Sequence, residues 1–95
     1  MLFRSEAARL TGLCCLSTLR NHLGTLDPVV RVVKVTGFIN CAPGFNALPQ
    51  VMNGFSDLMV DLYGRELGRH TRSVIGVAEL YAGMPVEIET IFEIR

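Results

Sequence analysis

Ninety-five residues hold one domain, at the lower end of the usual size range. With 49% hydrophobic and 19% charged residues, so short a chain has more apolar surface than one small core absorbs, so self-association is expected. Net charge is zero, Lys34 is the only lysine and the arginines are scattered, which argues against a nucleic-acid footprint; no run approaches about 18 uninterrupted apolar residues, so no transmembrane span is expected.

The first element is a helix. Ser5 reads as its N-cap, and Glu6 suits the positive end of the helix dipole. Leu10, Leu13, Leu16, Leu19 and Leu23 recur at spacings of three and four and predict one broad apolar face. Gly12 weakens the helix, Gly24 is the C′ stop, and Leu26 closes the cap. Such a helix needs a sheet to lie on. With nothing before it, that sheet comes from downstream, from another subunit or from residues this chain lacks.

Asp27-Pro28 ends the helix and opens an extended run. Residues 29–39 are dense in β-branched side chains and predict a strand covered on both faces, by helices and by a second subunit's sheet. Gly37 suggests a bulge, a bend or a close backbone approach. Residues 40–46 form a loop around Pro43-Gly44. The second helix begins at Leu48-Pro49 and shows a stripe of Val51, Met52, Phe55, Leu58, Met59, Leu62 and Tyr63; Gly64 and Gly68 mark its end.

Residues 70–80 and 85–94 read as two strands around a tight turn. Arg72 sits near the start of the first; Glu87 and Glu89 lie one face-repeat apart on the second. An arginine and a carboxylate on neighbouring strands make a candidate site for a small anionic substrate, because a guanidinium matches a carboxylate with a planar fork. From spacing alone a strand-end salt bridge explains Arg72 better, and an anti-aggregation edge charge would explain Glu87 and Glu89. The whole is an α+β, two-layer sandwich with two helices on a mixed or antiparallel sheet.

Cys14, Cys15 and Cys41 are odd in number and form no metal-ligand spacing, so ordinary thiols in a reduced, cytoplasmic compartment are expected, with no metal. The N-terminus lacks the pattern of a signal peptide.

Thr71-Arg72-Ser73-Val74, Val77-Ala78-Glu79-Leu80 and Val86-Glu87-Ile88-Glu89-Thr90-Ile91 together resemble the C-terminal signature of the RidA (YjgF, endoribonuclease L-PSP) family. Val33-Lys34-Val35-Thr36, the Asn53-Gly54 step, Gly64 and the loop from Gly37 to Pro43 fit the same pattern. The resemblance implies a single domain over residues 1–95 with a chorismate-mutase-like fold, shortened at the N-terminus because members carry further strands ahead of this first helix. It implies a homotrimer with intersubunit clefts and no cofactor. It also implies hydrolytic deamination of enamine or imine intermediates of the 2-aminoacrylate type, giving a 2-keto acid and ammonia. On the matching positions, Arg72 holds the substrate carboxylate, Glu87 positions or activates water, and Asn53 and Lys34 line the cleft. Asn53 serves equally as a helix-start hydrogen bonder, and Lys34 as a solvated lysine. Tyr81 stands where the family usually has proline, and Val74 where its archetype has cysteine. A non-catalytic trimeric carboxylate binder or scaffold is the alternative, and the ribonuclease of the family's older name is disfavoured by the neutral charge.

Overall fold

The structure is a computed structural model and describes residues 2–95. The elements run α1 (Leu2–Leu23), β1 (Val29–Asn40), α2 (Leu48–Gly68), β2 (Thr71–Val77), a single 3-10 turn (Tyr81–Gly83) and β3 (Val86–Ile94). The order α, β, α, β, β expected from the sequence is the order found.

The sheet is mixed, in the order β2-β1-β3. β1 pairs in parallel with β2, and α2 supplies the long crossover that a parallel pair requires. β1 pairs antiparallel with β3 on its other side. The expected tight turn between β2 and β3 is therefore replaced by residues 78–85, which carry the chain across the end of β1. The two strands that bear Arg72 and Glu87 are not neighbours, because the apolar β1 takes the central place between them.

Both helices pack on one face of this sheet, α2 over β1 and β2 and α1 over β3. The core is made by Val32, Val35 and Ile39 of β1, Val86 of β3, and Val51, Met52, Phe55, Leu58 and Met59 of α2. The predicted α2 stripe is thus buried, except that Leu62 is exposed and Tyr63 only partly covered. Gly37 is a close approach: a Cβ there would collide with the Met52 side chain. The register shifts of β1 fall elsewhere, between Val29 and Arg31 and between Val32 and Lys34.

The inward face of α1 differs from the leucine stripe. Ala8 and Leu16 are buried, Gly12 is covered, and Leu10 and Leu13 point outward. The reason is the closeness of the two helices. A side chain at Gly12 would meet Leu58 and Phe55, and one at Gly54 would run into the Ser5 carbonyl. Small residues face the crossing, so the leucines rotate away from it. Ser5 is half-buried inside a helix that already begins at Leu2, and so is not its N-cap. The other end behaves as expected: Gly24 has φ 84° and donates to the Arg20 carbonyl at 2.7 Å, and Leu26 packs on the core. Gly54→Val is expected to lower stability by about 1–3 kcal/mol, because backbone at a helix crossing cannot rotate away as a side chain can. Urea unfolding measures this, and an unchanged midpoint would refute the close-packed crossing.

Among the described residues nothing covers the opposite face of the sheet in the single chain. Ile75 of β2 and Ile91 of β3 stand 46% and 59% exposed there, beside Phe38, Thr36 and Lys34 of β1.

Candidate active site

Side chains of directly paired residues point to the same side of a sheet, so the register assigns each candidate to a face. Val35, fully buried under the helices, pairs with Arg72 on one side and Thr90 on the other. Arg72 therefore lies on the helix face. Phe38 pairs with Ile75 and Glu87, and Thr36 with Ser73 and Glu89, so Glu87 and Glu89 lie on the open face. Lys34 pairs with Thr71 and Ile91 and is on the open face too. Within one chain, Arg72 and Glu87 are separated by the thickness of the sheet as well as by β1. The expected juxtaposition of the two does not occur in a single copy.

On the helix face Arg72 has a defined setting. Its Nη1 donates to Ser56 Oγ at 3.1 Å, and its Nη2 makes a long contact of 3.5 Å to the Pro49 carbonyl. Pro49 and Ser56 lie two turns apart on α2, and Asn53 sits between them on the same helical stripe. Asn53 thus shares Arg72's neighbourhood, whereas Lys34 does not.

Ser56 also meets His70 Nε2 at 2.9 Å, and His70 Nδ1 lies 2.7 Å from the Gly68 carbonyl. A carbonyl only accepts, so Nδ1 carries the hydrogen. In the neutral ring Nε2 is then the acceptor, and the Ser56 hydroxyl donates to it. The Phe55 ring meets the imidazole edge-on, with centroids 6.4 Å apart and planes at 84°. His70 also lines a surface depression, together with Arg31, Arg65, Arg69, Glu66 and Glu93.

Sequence reasoning passed over Ser56 and used His70 only as a lead-in to the strand. The available signal was a histidine two residues before Arg72, with a hydroxyl one helical turn beyond Asn53. Away from this cluster, burial pushes the Cys15 thiol up from its ordinary value, with the adjacent Cys14 adding to the effect. Among the described residues no group of three His, Cys, Asp or Glu side chains converges as a metal set, and no helix is long and apolar enough to cross a membrane.

The family model described as endoribonuclease L-PSP matches residues 11–94, from the middle of α1 to the end of β3. This chain belongs to the endoribonuclease L-PSP family. Protein TCP17 of Trypanosoma cruzi is 43% identical over 89 residues, which are 94% of this chain and 56% of that protein. A crystal structure of a protein of unknown function from Agrobacterium tumefaciens superposes with a TM-score of 0.91 at 37% identity, covering 96% of this chain and 58% of that one. A candidate endoribonuclease from Shewanella oneidensis superposes with a TM-score of 0.89 at 22% identity, covering 99% of this chain and 62% of its own, and at that identity shows the fold alone. The chain thus spans about 56–62% of the length of these three proteins. The family expected from residues 71–91 is the family found, and its model covers Ser56, His70, Arg72 and Glu87 alike.

Proposed function

We propose that this chain hydrolyses reactive enamines and imines of the 2-aminoacrylate type to 2-keto acids and ammonia, with Arg72 as the anchor for the substrate carboxylate. The observation that carries this reading is the setting of Arg72. A guanidinium has five N–H donors, and two of its nitrogens are held in place by Ser56 and Pro49. The remaining N–H groups are pre-oriented at little cost in side-chain entropy, as recognition of a planar carboxylate requires.

A site using both Arg72 and Glu87 takes them from different copies of the chain. A homotrimer with intersubunit clefts meets that need, and the uncovered sheet face with Ile75 and Ile91 gives copies an apolar surface to share. Glu87 orients the water where the open face of a neighbouring copy meets the β2 edge that carries Arg72, while Asn53 lies on the Arg72 side of that cleft. Lys34 remains on the open face and enters only where that face meets another subunit. The double variant Ile75→Glu, Ile91→Glu is expected to dissociate the assembly, because burying two carboxylates there is unfavourable. Light scattering checks this, and an unchanged mass would exclude the open face as the interface.

Separation of Arg72 and Glu87 in the single chain favours a second reading, a non-catalytic carboxylate binder. One assay divides the two. Purified protein is mixed with an enamine generated in situ, and ammonia and keto acid are followed. Acceleration supports the deaminase, and keto-acid binding without acceleration supports the binder. Ribonuclease activity finds little support in the depression beside His70, where three arginines are accompanied by two glutamates.

A further inference from the structure

The hydroxyl and imidazole beside Arg72 have an arrangement suited to moving a proton. We infer that Ser56 and His70 form a proton relay for hydrolysis at Arg72, with Ser56 the group that touches the reacting water and His70 the positioning residue that holds the proton behind it. The inference rests on the deaminase reading above and gives that site its acid–base group.

Geometry supplies the argument. The Ser56 oxygen donates one hydrogen to His70 Nε2 and accepts one from Arg72 Nη1. A hydroxyl oxygen has two acceptor sites, so one remains for a water molecule. The Gly68 carbonyl fixes the ring so that Nε2 faces Ser56, and the Phe55 edge contact limits its rotation. His70 also lines the depression between the ends of α2, β1 and β3, so the ring borders solvent while both of its nitrogens stay engaged, and the proton it takes from Ser56 is held there until it returns. Arg72 adds a positive charge next to the Ser56 oxygen, which favours transient negative charge there.

The chemistry balances without a cofactor. Arg72 holds the carboxylate of a protonated imine. Water adds to the imine carbon: the new C–O bond forms, the C=N π pair moves to nitrogen, and the water proton passes to Ser56 Oγ as Ser56 gives its own to His70 Nε2. The product is a neutral carbinolamine and an imidazolium. The proton then returns through Ser56 to the amine. The C–N bond breaks, its pair leaves with nitrogen, and the hydroxyl proton is transferred so that a 2-keto acid and ammonium result. General acid–base groups of this kind contribute about 10²–10⁴-fold to a rate.

The test uses the full chain in its native assembly. Ser56→Ala and His70→Gln are each expected to lower kcat by about 10²–10⁴-fold while KM moves only a few-fold. Pyruvate, used as a carboxylate probe, still binds His70→Gln as it binds wild type, and binds Ser56→Ala a few-fold more weakly because Arg72 Nη1 loses the hydroxyl that holds it. Ser56→Thr keeps the hydroxyl and most of the activity, and added imidazole restores turnover to His70→Gly. If wild type accelerates hydrolysis and Ser56→Ala and His70→Gln keep its kcat, the relay is wrong and the deaminase reading stands. If kcat falls but neither imidazole nor Ser56→Thr restores it, the cluster is structural and the relay is wrong. If wild type does not accelerate hydrolysis, the relay and the deaminase reading fall together.

Discussion

Arg72→Ala is expected to lower kcat/KM for enamine hydrolysis at least roughly a hundredfold. A hydrogen bond to a charged group contributes about 1.5–3 kcal/mol, and a forked guanidinium–carboxylate contact contains two, so the loss exceeds about 3 kcal/mol; each 1.36 kcal/mol is a factor of ten. Arg72→Lys should fall between wild type and alanine, because ammonium keeps the charge but not the fork. The fold should survive either change. Arg72 is only half-buried, and its partner Ser56 keeps its bond to His70 when the guanidinium is gone. Steady-state kinetics and a thermal melt check both halves of this expectation. Unchanged kcat/KM in Arg72→Ala would remove the carboxylate anchor from the proposed mechanism, and a collapsed melt would show Arg72 to be structural first.

Much of the fold was legible because its periods are strong. β1 is nearly continuous in β-branched residues, and α2 presents large apolar side chains on one stripe, so both elements and their core residues follow from spacing. α1 was misread because two stripes compete on it. The large leucines give the louder signal, but the small residues Ala8 and Gly12 win the interface, since they let α1 approach Gly54 of α2. Strand order was illegible for a different reason. β2 and β3 are close in sequence and suggest a hairpin, yet residues 78–85 are long enough to pass β1, and burial of β1 in the sheet centre decides the matter. That insertion is also why Arg72 and Glu87, apparently adjacent, lie on opposite faces. The Ser56–His70 contact joins residues fourteen apart across a helix end, and nothing local announces it.

The core position most exposed to test is Phe55. Phe55→Ala is expected to cost about 3–5 kcal/mol, from lost transfer energy together with the cavity left behind. A domain of this length has a total stability of about 5–14 kcal/mol, so the variant loses between about a fifth of it and all of it. Relaxation cannot recover much of the loss. Phe55 is fully buried between the helices, and its neighbour on α1 is Gly12, which has no side chain to fill the space. Phe55→Leu keeps most of the volume and should cost far less. Urea unfolding of the pair separates cavity from shape, and a loss below about 1 kcal/mol for alanine would mean that α1 collapses onto α2 after all. The same ring packs against His70. A Phe55→Leu protein that stays folded should therefore lose turnover more than carboxylate binding, because the imidazole loses its wall while Arg72 keeps Ser56 and Pro49.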